Sequence, residues 1–307
     1  MNIQKWLNEN VDDLSGKKIA VTGSTGGLGK ELCSYLAGLN ATLILLDRNA
    51  ERSSAHKQSL KQRFNNIDVD CITLDLESMV SAKEAARRLI EEDIDIFIHN
   101  AGAYSIPRKI TDSGYLNIFQ INFLAPYYMI CELLPHIRRK KGRVVAVGSI
   151  AHNYSKTNPQ NIDFSGVKAD SKVYGNAKRY LMFSLFELFK NETEASLSVT
   201  HPGITFTNIT AHYPKLIFAI IKNPMKVIFP PPKKAVLSVL KGVFCKTEYC
   251  EWIGPNLFNV WGRPKFKRLK TCRVHERQQI AHTAQKLYEQ MLVSNGTCFS
   301  SRKETQD

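Results

Sequence analysis

The chain has no paired cysteines. Its seven (Cys33, Cys71, Cys131, Cys245, Cys250, Cys272 and Cys298) form no C-x-x-C, and the set is odd and scattered. Neither a zinc site nor a disulfide framework is expected from such a set. Several lie in apolar segments, as small buried hydrophobes of a reducing compartment do. No apolar run reaches the roughly 18 residues that a membrane span needs. The nearest approach, Leu216-Ile217-Phe218-Ala219-Ile220-Ile221, is cut by Lys222, Pro224 and Lys226. The opening MNIQKWLNENVDDLSG is amphipathic and acidic, without the charged-then-apolar order of a secretory signal. A cytoplasmic location is the resulting expectation. There is no low-complexity tract and aromatics are not depleted, which excludes extensive disorder except toward the ends.

Acidic residues are scarce. Asp and Glu number 28 against 42 Lys and Arg, a net charge of +14. Such an excess suits nucleic acid, a membrane surface or an anionic ligand. Part of it is local, in Arg138-Arg139-Lys140-Lys141 and in Arg263-Pro264-Lys265-Phe266-Lys267-Arg268-Leu269-Lys270. No nucleic-acid motif accompanies the charge, so the runs read as solvated basic faces and no nucleic-acid partner is expected.

Short β-branched runs alternate with longer helical periods. Strands are expected at Lys18 to Thr22, Thr42 to Leu46, Val69 to Leu74, Ile94 to Ile98, Arg143 to Val147 and Leu197 to Thr200. Helices are expected between them, including a long one over Gly114 to Arg139 and another over Lys172 to Lys190. This alternation predicts an α/β fold: one doubly wound, Rossmann-like domain with a parallel sheet and helices on both faces. Beyond residue 205 the pattern changes. A helix is expected at Lys233 to Phe244, a late strand at Phe258 to Trp261 and a helix at Arg277 to Leu292. The single domain is taken to run from 1 to 293, followed by a polar tail over 294–307.

After the first strand comes Thr22-Gly23-Ser24-Thr25-Gly26-Gly27-Leu28-Gly29. A strand, a glycine loop and a helix N-terminus let backbone N–H groups approach a pyrophosphate, with glycine wherever a Cβ would block the approach. Asp47 ends the second strand about 20 residues further on. A carboxylate there accepts bonds from ribose hydroxyls and repels a 2′-phosphate. Arg48 would instead welcome that phosphate. The acid occupies the usual ribose-binding position, so NAD is favoured over NADP.

The loop spacing T-G-x-x-x-G-x-G resembles that of the short-chain dehydrogenase/reductase family, whose glycines matching Gly23, Gly27 and Gly29 line the pyrophosphate. Ser24, Thr25 and Leu28 complete the loop. Further motifs follow in the family's order. Asp75-Leu76 matches the position that meets adenine. Asn100-Ala101-Gly102 resembles the family's N-N-A-G, with His99 in place of the first Asn and read as structural. Asn122, Ser149, Tyr174 and Lys178 match its catalytic tetrad. Tyr174 and Lys178, four apart on a helix, share one face, and a nearby ammonium favours phenolate. Tyr174 and Lys178 are thereby also cofactor contacts. His201-Pro202-Gly203-Ile204-Thr205-Phe206-Thr207 resembles P-G-x-x-x-T, in which Pro202 and Gly203 turn toward the cofactor and Thr207 meets the nicotinamide carboxamide. The resemblance spans about residues 16–210. The long Ser149–Tyr174 interval is similar to that of the retinol-dehydrogenase-like branch.

The resemblance implies an NAD(P)-dependent alcohol dehydrogenase or carbonyl reductase, commonly a homo-oligomer. It also implies a substrate lid over 207–232. That stretch is rich in Leu, Ile and Phe, which suits a lipophilic substrate. Its Lys215, Lys222 and Lys226 offer peripheral membrane contact as another reading. A non-catalytic nucleotide-sensing or scaffold protein on the same fold is the principal rival; its usual mark is a broken tetrad or loop, and both are intact here. The extended epimerase branch usually carries G-x-x-G-x-x-G, which this loop does not fit.

Overall fold

The computed structural model describes residues 2–204, 229–269 and 272–293. Thr207, the expected lid up to residue 228 and the C-terminal tail lie outside these residues.

Eight strands form one sheet in the order β3-β2-β1-β4-β5-β6-β7-β8. They are β1 (Lys18–Thr22), β2 (Thr42–Asp47), β3 (Val69–Thr73), β4 (Ile96–His99), β5 (Arg143–Val147), β6 (Ser196–Thr200), β7 (Glu251–Leu257) and β8 (Trp261–Arg268). β1 to β7 pair in parallel and β7 pairs antiparallel with β8. The apolar runs alternate between two cores, as the two-residue period of a strand requires. Ala20, Ile44, Leu46, Phe97, Val144 and Ala146 face one core, whereas Ile19, Val21, Leu43, Leu45, Val145 and Val147 face the other.

Helices cover both faces: α1 (Ile3–Asn10), α2 (Gly27–Gly38), α3 (Ala50–Arg63), α4 (Met79–Glu91), α5 (Asn117–Phe119), α6 (Ala125–Arg139), α7 (Asp170–Leu188), α8 (Pro232–Ala235), α9 (Leu237–Phe244) and α10 (Val274–Val293). Among the described residues no helix is long and apolar enough to cross a membrane. Strand order reverses between β1 and β4, and the crevice outside the carboxyl ends of these strands is where such sheets bind ligands.

Two expectations are corrected. The helix expected from Gly114 begins at Asn117 and contains a π-helical stretch, Gln120–Leu124, before α6. Of the expected strand Phe258 to Trp261 only Trp261 is in a strand, as the first residue of β8. Phe258 to Val260 are the turn of the β7–β8 hairpin, closed by Val260 N–H donating to the Leu257 carbonyl at 3.0 Å. The true strands are masked in sequence by Gly254 and Pro255 on one side and by Gly262, Pro264 and four cations on the other, residues that strands normally exclude.

Candidate active site

The glycine loop is built by close backbone approach. Gly23 has φ +67°, and a Cβ there would stand 3.0 Å from Ala101 Cα. A Cβ on Gly29 would stand 2.1 Å from the Gly23 carbonyl oxygen. Gly26 leads into α2 and makes no side-chain cap, so the first-turn N–H groups face the loop uncapped. Thr22 ties the loop to the end of β4: its Oγ1 accepts from Asn100 N–H at 3.1 Å and Ala101 N–H at 3.0 Å. The Asn100 amide donates back to the Thr22 and Gly23 carbonyls at 3.0 and 3.1 Å. Its Oδ1 is buried and has no protein partner.

A cleft of about 230 Å³ opens here. Gly23, Asp47, Arg48, Asp75, Leu76, Ala101 and Gly102 all reach its wall, so residues predicted from four separate motifs converge. A cleft walled by Gly23 and Gly102, with an unpartnered buried acceptor on Asn100 next in the chain to the wall residue Ala101, fits a dinucleotide better than it fits a packed core.

Asp47 departs from its expected role. Its Oδ2 accepts from Ser24 Oγ and, at 3.2 Å, from Ser53 Oγ. Its Oδ1 accepts from Thr25 N–H at 3.0 Å and Thr25 Oγ1 at 2.9 Å. With four donors on a buried carboxylate, its lone pairs are spent on holding the glycine loop to β2. The Arg48 side chain, 70% exposed, stands at the rim, its guanidinium 3.9 Å from Glu77.

The tetrad assembles beside this cleft. Asn122 lies in the π-helical stretch, a local widening that often marks functional sites. Its Nδ2 donates to the Ala103 and Ile118 carbonyls at 2.8 Å each, and its Oδ1 accepts from Ala103 N–H at 3.3 Å. Asn122 therefore fixes the chain just after Asn100-Ala101-Gly102. Ser149 follows β5, and its Oγ accepts from Ala151 N–H at 3.2 Å. Tyr174 and Lys178 come from α7. Lys178 Nζ donates to the Val147 carbonyl at 3.0 Å and lies 5.9 Å from the centre of the Tyr174 ring. A Cβ on Gly102 would meet Asn122 Oδ1 at 2.9 Å and Lys178 Nζ at 3.6 Å, which packs the three together.

The electrostatics run against the simplest expectation. Burial pushes the Tyr174 hydroxyl up to about 12, opposed by its hydrogen bond with Ser149. Burial also brings the Lys178 ammonium down to about 7. In this protein-only site desolvation outweighs the attraction of lysine for phenolate. Tyr104 lies edge-on to Tyr174 at 5.4 Å and forms an aromatic wall. His99 is wholly buried, with Nδ1 3.3 Å from Thr22 Oγ1, and burial holds it neutral.

Sequence reasoning missed the layer beneath Ser149. His152 Nδ1 meets the Ser149 carbonyl at 2.6 Å. Burial lowers this imidazole to about 4, so it is neutral near pH 7 and donates that proton. Arg179 donates to the His152 carbonyl at 3.1 Å and to both Glu276 oxygens at 2.8 and 2.7 Å. Glu276 also accepts from Thr157 N–H and Oγ1 at 3.4 and 3.1 Å. His201 stacks on Trp252 at 4.7 Å, and His152 meets the same ring edge-on at 5.4 Å. The only hints in sequence were the Ala151-His152 step, two residues beyond Ser149, and an arginine adjoining Lys178. Gly203 turns at φ +86°, and a Cβ there would stand 2.7 Å from the Val260 carbonyl, so the Pro202–Gly203 turn is seated against the hairpin.

Residues 17–169 match the family model described as short chain dehydrogenase. An uncharacterized oxidoreductase of Schizosaccharomyces pombe is 29% identical over 258 residues, covering 78% of this chain and 76% of that protein. Human retinol dehydrogenase 13 is 29% identical over 210 residues, 65% of this chain and 62% of its own length. A crystal structure of an uncharacterized Mycobacterium paratuberculosis protein superposes with a TM-score of 0.69 at 20% identity, covering 92% of this chain and 96% of that one, a likeness of fold.

Proposed function

The chain belongs to the short-chain dehydrogenase/reductase family and resembles its retinol-dehydrogenase-like branch, and from that premise we propose that it interconverts a carbonyl and an alcohol with Asn122, Ser149, Tyr174 and Lys178 as its catalytic residues. Nicotinamide-dependent oxidoreduction is the chemistry of the family. The observation that carries the finer reading is that Asn122 and Lys178 close on Gly102 in the wall of the glycine-lined cleft, with the Lys178 ammonium 5.9 Å from the centre of the Tyr174 ring.

A bound nicotinamide supplies or accepts the hydride. The protein supplies proton transfer and position. Ser149 Oγ and Tyr174 Oη bracket the reacting oxygen. In reduction Tyr174 gives its proton to that oxygen as hydride reaches the carbon; in oxidation it takes the proton back. Lys178 Nζ lies against Gly102 in the wall of the cleft, from where it would hold the nicotinamide ribose of a bound cofactor. Asn122 holds the Ala103 segment so that this wall keeps its shape.

For the cofactor, the loop bonds of Asp47 favour NADP over the NAD that the acid's position in sequence suggests. A carboxylate already holding four donors is a poor ribose acceptor, and Arg48 is exposed at the same rim. Fluorescence titration of purified protein with NADPH and NADH tests this. NADPH is expected to bind more tightly, and Arg48→Ala to weaken NADPH by about 10- to 100-fold, the scale of a charge-assisted phosphate contact. Tighter NADH binding would return the ribose to Asp47, and binding of neither would favour the scaffold reading.

The substrate we propose is a bulky lipophilic carbonyl or alcohol, supported by the aromatic wall of Tyr104 and the apolar composition of 207–232. The described cysteines are all free thiols, in keeping with the cytoplasm as its proposed location. A homo-oligomer is proposed on family grounds alone.

A further inference from the structure

The β7–β8 hairpin has features that neither the fold nor the hydride chemistry uses. Its tip exposes large apolar side chains: Leu257 at 52%, Phe258 at 83% and Trp261 at 38%. The turn is held by its own hydrogen bonds. Phe258 and Asn259 are both left-handed, at φ +50° and +57°. For a bulky aromatic this conformation is costly, and glycine or asparagine ordinarily takes the place. Lys267 Nζ clamps the turn by donating to the Pro255 and Asn256 carbonyls at 2.7 and 3.2 Å and to Asn259 Oδ1 at 2.8 Å. Arg263 N–H adds a bond to Asn256 Oδ1 at 2.9 Å. The strained, clamped tip thus holds a phenyl ring out in solvent.

Cations flank it. Arg263, Lys265 and Arg268 are exposed along β8, and from Trp261 to Lys270 there is no acidic residue. Among the described residues none of the three is ion-paired. β8 is the edge of the sheet, but edge-to-edge pairing with a second copy would bring like charges together. An apolar tip beneath a cationic rim complements an anionic bilayer, where aromatic side chains sit at headgroup depth.

The tip also stands at the active-site end. The Asn259 carbonyl is 3.0 Å from His201 Nε2, and Val260 packs on Gly203, just past the end of β6. We propose that the β7–β8 hairpin docks the protein on an anionic lipid surface, with Leu257, Phe258 and Trp261 entering the headgroup region and Arg263 and Lys265, on one face of β8 near the tip, meeting lipid anions. The site would then open near the phase that holds lipophilic substrates. That consequence rests on the substrate reading above, whereas the docking itself does not.

Co-sedimentation of the full chain with vesicles of phosphatidylcholine, with and without phosphatidylserine, tests the proposal. Binding is expected only with phosphatidylserine, and weaker in high salt. Each basic residue at such a surface is worth about fivefold in partitioning, so Arg263→Glu with Lys265→Glu should lower binding by more than about tenfold. Phe258→Asn removes the ring while keeping a residue that tolerates the left-handed turn; binding should fall and the salt dependence remain. Unchanged melting temperatures and NADPH titrations show that both variants are folded, and NADPH binding reports separately on the oxidoreductase reading. Wild-type protein that ignores phosphatidylserine, variants that bind like wild type, or salt-sensitive binding to duplex DNA with none to vesicles would each overturn the proposal.

Discussion

Replacing Glu276 by Gln should unfasten α10 from the active-site loop, and the cost can be worked from the pair it breaks. Arg179 is 3% exposed and Glu276 20% exposed, and the carboxylate takes two guanidinium bonds as well as two from Thr157. The Glu276 carboxyl is held at about 2, against an ordinary value of 4.5, chiefly by Arg179 working against the burial that would raise it. At about 1.4 kcal/mol per pKa unit, that gap corresponds to at most about 3 kcal/mol. Glu276 keeps some contact with water, and screening reduces this to about 2 kcal/mol. Glutamine retains one acceptor oxygen but removes the negative charge that faces the buried guanidinium. For a domain of this size about 2 kcal/mol corresponds to a fall of roughly 4 °C in melting temperature. A carboxyl lowered on folding contributes stability that is complete above its unfolded value and is lost as pH falls toward its folded one. The gap between wild type and Glu276→Gln should therefore be full at pH 7 and close progressively from about pH 5 toward pH 2. Thermal melts by circular dichroism at pH 7 and at stepped acid values give the comparison. Equal melting temperatures at pH 7, or a gap that does not narrow between pH 6 and pH 3, would refute the assignment of that stability to the buried pair.

Tyr174→Phe should lower turnover by about 10²- to 10⁴-fold, the usual worth of a positioned acid or base, with cofactor affinity kept. Steady-state rates alongside fluorescence titration check it, and near-normal turnover would remove Tyr174 from the chemistry. Gly29→Ala should abolish tight cofactor binding, because its Cβ would sit 2.1 Å from a backbone oxygen that cannot yield without opening the loop. An alanine variant that binds NADPH like wild type would show that the glycine is there for another reason.

The parts legible in sequence were those encoded within a few residues of chain. Strands β1, β2, β4, β5 and β6 showed as short apolar runs because each is buried on both faces of a parallel sheet, where little polar alternation interrupts the pattern, while the edge strand β3 exposes Asp70 and Thr73. The phosphate loop showed because its glycines answer to one another across six residues. Tyr174 and Lys178 showed because a helix brings residues four apart onto one side. Asp47 was found as a residue, but its partners were not. Its position at the end of β2 is local, whereas its bonds to Ser24, Thr25 and Ser53 depend on how the loop and α3 fold back over the strand end.

The layer beneath Ser149 was illegible for the same reason at longer range. Arg179 and Glu276 are 97 residues apart, and nothing near either announces the other. A buried arginine must find its acid through the packing of α10 on α7. Seen from sequence, the adjacent Lys178 accounts for the cation on that helix and hides the need for a second one. The hairpin failed in the opposite direction. Its strands carry the glycines, prolines and lysines that ordinarily break strands, while its turn carries the apolar residues that ordinarily make them. An edge strand needs only one partner, so it tolerates proline and uses charge to discourage a second. A turn that exposes phenylalanine gains no burial in return for its strained backbone. Local preference and global fold agree across β1 to β6 and part company at this hairpin, and it is at such disagreements that a constraint other than folding has to be sought.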